Sequence, residues 1–507
     1  MLSDIQKQQL IDRQTSEEYI LKQISFFKKG FDAVQLTQPA TIGNGIVEID
    51  DPKAHALIDA FDKQSQSIEI LKFVPASGAA TRMFKSLFEF VNEKDKSKKR
   101  SSAYSQTHLF IYNLQKFAFF NDLKIVAEKR GVDIQQLSNT DEDTILNSLL
   151  DSNGLNYGSL PKGLLKFHQY SNQSRTAFEE HLVEAALHAK GKGNIKIHFT
   201  VSPEHIDSFK KQLASVLSIY EKQFNATFEI GFSVQKPSTD TISIDESGQV
   251  VCSVDGKLLF RPGGHGALLD NLNDLDADII FIKNIDNVVP DHLKGDTVKY
   301  KKIIGGLLLS IRAKMYHYQQ LIDSKNEIDN ELLKEIANFA KNDLYLDLSD
   351  ALNSGNKLEV IKEFLFKPIR VCGMVKNTGE PGGGPFWLKD KKGKLSLQIV
   401  ESSQVDANNA VQKEIFGKAS HFNPVDLVCS TKNYKSEKYN LSKYRDDETG
   451  FITNKSIGGK EIKVQELPGL WNGSMAHWNT VFVEVPISTF NPVKTVNDLL
   501  RPEHQGI

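Results

Sequence analysis

The chain has 507 residues, 40% hydrophobic and 25% charged, a globular rather than disordered or fibrous composition, and at about 150 residues per domain it holds two to four units. Lys and Arg total 62 against 64 Asp and Glu, a net charge of -2, which excludes a broad electrostatic footprint for nucleic acid. Any anion must therefore be held by a local site. The three cysteines, Cys252, Cys372 and Cys429, lie far apart, so neither a CxxC metal site nor a disulfide framework is readable. The longest apolar stretch, Ile303 to Ile311, is too short to span a bilayer. The opening Met1-Leu2-Ser3-Asp4 has no basic region leading into an apolar run. The expectation is a soluble, cytoplasmic protein with no membrane and no nucleic-acid partner.

Residues 1 to about 40 place Leu10, Ile11, Tyr19, Ile20, Ile24 and Phe27 at helical spacing. The first clear strand is Ile68 to Val74, followed by small residues and a predicted helix from Thr81 to about Val91. Glu93 to Ser102 is rich in Lys, Asp and Ser and reads as a solvated loop. Phe110, Leu114 and Phe117 form an aromatic stripe suited to a core. From Leu160 onwards strands and helices alternate. Helices are predicted over Phe178–Ala189 and Pro203–Tyr220, the second with Ser202 as a cap. Strands are predicted over Ile195–Val201, Ala226–Val234 and Ala277–Lys283. This alternation implies a mostly parallel sheet flanked by helices. Residues 296–366 read as nearly continuous helix. Strands return at Ile369–Val375, Leu395–Val400, Leu427–Ser430 and Val481–Val485.

Four segments carry chemistry. In Phe73-Val-Pro-Ala-Ser-Gly-Ala-Ala-Thr-Arg-Met83 a strand ends, small residues turn the chain and a helix is expected to begin. Bare amides at such a place favour phosphate, and small residues let an anion approach closely. Ala76, Ser77, Gly78, Ala79, Ala80 and Thr81 would form the cradle, with Arg82 as a bidentate phosphate contact. The alternative is a plain strand–helix turn. There is no Gly-Lys-Ser/Thr ending, so it is not a P-loop. Leu160-Pro-Lys-Gly-Leu-Leu165 presents Lys162 beside a proline, either as a fixed cation or as an ordinary loop lysine. Phe260-Arg-Pro-Gly-Gly-His-Gly266 sets Gly263, Gly264 and Gly266 around His265, leaving room for a flat or anionic ligand unless it is only a tight turn. Phe281-Ile-Lys-Asn-Ile-Asp-Asn287 ends a buried strand. Ligands bind outside such strand ends, and Asp286 there suits a hard divalent cation bridging phosphate oxygens.

In this order, the four segments resemble those of the sugar-nucleotide pyrophosphorylases, most closely the UTP–glucose-1-phosphate and UDP-N-acetylhexosamine branch. Phe232-Ser-Val-Gln-Lys-Pro237 resembles the family's uracil-reading segment, which points to Gln235. Gln398-Ile-Val-Glu-Ser-Ser-Gln-Val405 resembles its sugar-side segment, which points to Glu401, and His421-Phe-Asn423 resembles the asparagine segment that follows. Val485-Pro-Ile-Ser-Thr-Phe-Asn-Pro-Val-Lys-Thr-Val-Asn-Asp-Leu-Leu500 is similar to a C-terminal motif whose lysine, here Lys494, steadies the phosphates. The chain departs from the family in its Ser-Gly-Ala-Ala-Thr-Arg loop, in about 70 residues inserted before Lys162, in the long helical stretch and in lacking a C-terminal β-helix. The whole most resembles a bacterial offshoot of Bacteroidetes type, a DUF4301-like family.

The resemblance implies a three-layer α/β/α nucleotidyltransferase core, Rossmann-like and GT-A-like, with a mixed, mainly parallel sheet and helical insertions. The expected division is an N-terminal helical segment over 1–66 and a nucleotide-binding core over 67–295 that contains a helical insertion at about 92–157. A helical insertion over 296–366 and a sugar-side half over 367–507 complete it. The implied reaction condenses a nucleoside triphosphate, UTP by preference, with a sugar-1-phosphate, giving a nucleotide-sugar and pyrophosphate. Arg82, Lys162 and Lys494 would be catalytic, and Asp286 would hold Mg²⁺. Gln235 and the Gly263–Gly266 loop would read the base. Asn287, Glu401 and Asn423 would meet the sugar. Trp471 or Trp478 would stack on a ring face or simply pack. Two other readings stand beside this one: a catalytically impaired nucleotide-binding regulator, and a glycosyltransferase in which Asp286-Asn287 replaces a metal-binding Asp-x-Asp. Sugar, base and oligomeric state are not legible.

Overall fold

The computed structural model describes residues 2–93, 102–134, 141–324, 328–349, 356–379, 382–391, 393–457 and 459–506. The chain divides into two compact units. The first takes in Met1–Ile70, Val234–Ile282 and Lys302–Ile487, and the second Leu71–Ser233, Lys283–Lys301 and Ser488–Ile507. The expected core over 67–295 is thus divided at Val234, and the chain re-enters the second unit at Lys283 and again at Ser488.

In the second unit the strands Ile70–Pro75, Ile195–Thr200 and Phe228–Ser233 run parallel, with Phe73 opposite His198 and His198 opposite Gly231. Two helices complete the alternation. Ala177–His188 is started by a reciprocal Thr176–Glu179 capping box, and Ile206–Phe224 ends at Asn225 in the left-handed region. Phe178, Phe199, Phe209 and Phe232 pack with ring centroids 4.7–6.3 Å apart. Phe110, Leu114 and Phe117 are buried, as their spacing predicts. The expected loop at Glu93–Ser102 lies largely outside the described residues, and Ser102 belongs to the helix Ser102–Tyr112.

In the first unit the strand Ile369–Lys376 runs parallel to Asn479–Glu484 and antiparallel to Asp426–Ser430. Asn479–Glu484 in turn runs parallel to Gly45–Val47. Ile279–Lys283 is buried at every position, matching its unbroken apolar run. Two antiparallel sheets join it: Leu36–Pro39 with Gly384–Lys389 and Leu395–Val400, and Phe260–Arg261 with Thr241–Ile244, Lys460–Glu466 and Phe451–Ile457. The architecture is mixed α/β with a mostly parallel sheet. Several of the antiparallel strands are short or polar and leave little periodic trace in sequence. Among the described residues, the stretch expected as nearly continuous helix is broken into separate helices, including Lys294–Asp323, Asn330–Leu344 and Lys357–Leu365. Asp329 accepts from the Leu332 amide to start the second, and Tyr345 at φ 55° ends it. Among the described residues no helix is long and apolar enough to cross a membrane.

Helix Lys294–Asp323 carries Gly305 and Gly306 in its interior, where glycine ordinarily costs about 1 kcal/mol relative to alanine. Here a side chain has no room. A Cβ on Gly306 would lie 2.2 Å from the carbonyl oxygen of Leu57, in helix Asp51–Ser65. Gly306→Ala is therefore expected to destabilise the protein by about 2 kcal/mol, the range of a forced core overpacking, reversing the usual gain of Gly→Ala in a helix. A denaturant titration showing equal or greater stability would refute the close approach of these helices.

Candidate anion site

The second unit gathers the loop, both lysines and the aspartate. Strand Ile70–Pro75 delivers the chain to Ala76, whose amide donates to the Thr200 carbonyl at 2.8 Å. Ser77, Gly78 and Ala79 then stand exposed, and their amides have no hydrogen-bond partner among the described residues. The loop is braced from below. Ser202 Oγ donates to the Ser77 carbonyl at 3.0 Å, the Ala80 amide to Leu160 O at 3.2 Å and the Lys162 amide to Gly78 O at 3.3 Å. A Cβ built on Gly78 meets nothing within 4 Å. The glycine is not required by packing, and the space above it is open. The expected helix is delayed: Ala80–Arg82 is a single 3-10 turn, and the α-helix starts at Lys85. The loop offers bare amides, not the end of a long helix dipole. Thr81 and Arg82 are exposed beside it.

The bond between the Lys162 amide and Gly78 O places Lys162 beside this loop. Its ammonium lies 2.9 Å from Asp286 Oδ2 and donates to the Val493 carbonyl at 2.7 Å. Lys494 reaches the same Oδ2 at 3.1 Å. The three differ in access: the Asp286 and Lys162 side chains are 9% and 11% exposed, and that of Lys494 is 58% exposed. Burial alone would raise the Asp286 pKa, but Lys162 and Lys494 together hold it below the ordinary carboxylate range.

The C-terminal segment is fastened at several points. The Val493 amide donates to Asp286 O at 3.0 Å and the Val496 amide to Met83 O at 3.0 Å. Asp498 Oδ2 accepts from the amides of Lys494 and Thr495, each at 2.7 Å. That fixes the backbone carrying Lys494, as the motif suggests. Asn287, expected to meet the sugar, has a different task. It is buried, its Nδ2 donates to Thr489 O at 3.2 Å, and its Oδ1 accepts from the Asn491 amide at 2.8 Å. Both ends of its amide hold the C-terminal segment.

The remaining predicted residues belong to the first unit. Gln235 Nε2 donates to Asp240 Oδ1 at 3.0 Å, and Asp240 also pairs with Arg13. The glycines of Gly263–Gly266 do not leave room for a ligand, as spacing suggests. A Cβ would lie 2.5 Å from Thr239 O at Gly263, 2.8 Å from Glu466 Oε2 at Gly264, and 2.0 Å from Pro468 O at Gly266. The chain's own backbone and a carboxylate fill that space. His265 is exposed, its ring centroid 6.1 Å from that of Trp471, with the carboxylates of Glu401 and Glu466 within electrostatic reach. Trp478 is buried. The Glu401 amide donates to Gln404 Oε1 at 3.0 Å. Asn423 is buried, with its Oδ1 accepting from the Val425 amide at 3.0 Å, so that atom closes a turn.

Sequence reasoning passed over Ser202, read there only as a helix cap. Its hydroxyl makes no cap bond, and it supports the loop instead. Among the described residues no group of three His, Cys, Asp or Glu gathers to hold a metal ion. Mg²⁺, however, is usually bound by one or two carboxylates together with substrate phosphates and water. Asp286 fits that modest role, provided a lysine releases Oδ2.

A family model described as a domain of unknown function, DUF4301, matches residues 3–505. No curated protein matches the chain. Solved structures that resemble it include the UDP-glucose pyrophosphorylase from Leishmania major, at 13% identity, covering 99% of this chain and 79% of that one, with a TM-score of 0.46. Another is the uridine diphosphate N-acetylglucosamine pyrophosphorylase from Trypanosoma brucei, at 13% identity, 95% and 74% coverage and a TM-score of 0.47. A UDP-glucose phosphorylase from Trypanosoma brucei is similar at 14% identity, 98% and 78% coverage and a TM-score of 0.44. At such values the likeness carries no weight for the chemistry.

The lowered pKa of Asp286 has a definite consequence for acid stability. A carboxylate with a folded pKa below its unfolded value, about 3.9, adds stability above that value and loses it as pH falls through the folded pKa. The ion pairs with Lys162 and Lys494 should therefore persist well below pH 5. Asp286→Asn is expected to be less stable than wild type by about 2 kcal/mol at pH 7, the scale of a charge-assisted hydrogen bond. The gap should close towards pH 2. Urea titrations of both proteins at several pH values would show a constant gap if Asp286 were unpaired.

Proposed function

The chain belongs to the DUF4301 family, and for it we propose a nucleotidyltransferase that joins a nucleoside triphosphate, UTP by preference, to a sugar-1-phosphate with release of pyrophosphate. One observation carries this reading. Three amides around an open Gly78, without partners among the described residues, share a unit with Lys162, Asp286 and Lys494, and Lys162 contacts both the loop and the aspartate. Such a set of donors and cations suits a polyphosphate.

The sugar phosphate oxygen is already a nucleophile, so the protein has to align it with the α-phosphorus and spread the charge. The amides of Ser77, Gly78 and Ala79 would hold phosphate oxygens, with Arg82 as a further contact. Lys162 would act as a buried, fixed charge. Lys494, more exposed, would follow the leaving pyrophosphate. Mg²⁺ bound at Asp286 would supply charge neutralisation between phosphate oxygens.

Two variants test this. Gly78→Val adds bulk where packing leaves the space open, so the melting temperature should hold while UTP affinity, measured calorimetrically with Mg²⁺, falls at least about tenfold, a cost of 1.4 kcal/mol. Lys494→Ala should lower kcat by roughly 30- to 1000-fold, the scale of one lost transition-state contact, with KM changed less. A surface lysine without a role would change neither. Should wild type release no pyrophosphate with any pairing of nucleoside triphosphate and sugar-1-phosphate while still binding UTP, the chain would be a nucleotide-binding regulator and not an enzyme.

A further inference from the structure

Beneath the anion site lies a cluster of buried charges. Lys72, in strand Ile70–Pro75, is fully buried, and its ammonium donates to Glu184 Oε2 at 2.8 Å and to His181 O at 3.3 Å. Lys283, the last residue of strand Ile279–Lys283, is 1% exposed and donates to the other carboxylate oxygen, Oε1, at 2.8 Å. Glu184, in helix Ala177–His188, has no exposed surface. One turn earlier on the same helix, His181 Nε2 lies 3.2 Å from the carbonyl oxygen of Ile285, next to Asp286. Burial alone would raise the Glu184 pKa, but Lys283 and Lys72 hold it well below the ordinary value, so the carboxylate is charged.

Charges of this kind are costly. Each buried ion forfeits several kcal/mol of hydration, and apolar residues of similar volume commonly serve stability as well or better. What the cluster adds is geometry. Lys72 lies four residues before Ala76 on the strand that feeds the loop, and Lys283 lies three residues before Asp286. A single carboxylate grips both, one oxygen each, and the helix carrying it also holds the Ile285 carbonyl.

We propose that Glu184, through Lys72 and Lys283, is a positioning residue for the anion site, setting the loop at Ala76–Arg82 and Asp286 at a fixed spacing. This rests on the reading of that site given above. None of the three touches the reacting atoms; they act through the strand ends they hold.

Lys72→Met and Lys283→Met test it, each replacing a lysine by an unbranched side chain of similar volume and leaving Glu184 the other lysine. The carboxylate keeps a buried lysine donor in both, with His181 Nδ1 at 4.0 Å, so the melting temperature should change little. Misplacement of reacting groups by about 1 Å can cost roughly 100-fold in rate. Each variant is thus expected to bind inorganic pyrophosphate and UTP with Mg²⁺ at least about tenfold more weakly by calorimetry, a cost of 1.4 kcal/mol, and to lose more in kcat than in KM. Binding and kcat at wild-type level in both folded variants would overturn the inference alone. If both variants failed to fold, the cluster would be a folding element and the inference would fall. If wild type bound neither pyrophosphate nor UTP, the reading of the anion site would fail and take this inference with it.

Discussion

One carboxylate organises the second unit. Asp286 takes ammonium groups from Lys162, 124 residues away, and Lys494, 208 residues away. In a nearly buried position it needs them. An isolated ionised carboxylate removed from water would be driven to take up a proton, and the two lysines keep it charged. The dependence is mutual: Lys162 is almost as buried as its partner, and without Asp286 its ammonium would be left, among the described residues, with the neutral Val493 carbonyl. Removing Asp286 would leave the nearly buried Lys162 without its counter-ion, which costs more than the pair itself is worth.

The same constraint explains why the C-terminal segment is fastened by so many neutral bonds. Lys494 is exposed enough that its ion pair alone, screened by solvent, would contribute little. The chain is instead held by backbone bonds to Asp286 and Met83, by the Asn287 side chain, and by Asp498 bridging two amides. Further along, the buried imidazoles of His168 and His504 meet at 3.1 Å, and His168 also contacts Glu180 at 2.9 Å. Packing and neutral hydrogen bonds supply the stability of this segment.

Much of this was legible where a physical pattern has a single reading. The unbroken apolar run Ile279–Ile282 can only be a strand buried on both faces, and the structure buries all of it. Small residues after a strand announced the exposed loop at Gly78, and the C-terminal motif led to Lys494. Legibility ended where one composition serves two purposes. Glycine spacing at Gly263–Gly266 cannot say whether a ligand or the chain's own backbone fills the space, and there it is Thr239, Glu466 and Pro468. Asn287 looked like a ligand contact because it follows Asp286, but its partners lie about 200 residues away. Glu184 and His181 sit at ordinary helical spacing, and nothing in that spacing shows that the helix is buried on nearly every side.

The two lysines on Asp286 differ in a way that divides their labour. Lys162 has a second bond, to Val493 O, and little exposure, so its position is set before any anion arrives. A charge held in place without reorganisation is the kind that stabilises a transition state most cheaply. Lys494 has a fixed backbone but an exposed side chain whose one ion pair is with Asp286. A flexible point charge of that sort can leave the carboxylate for another anion. Asp286 thus carries one fixed and one movable cation, so that a shift of Lys494 would still leave the buried carboxylate paired with Lys162.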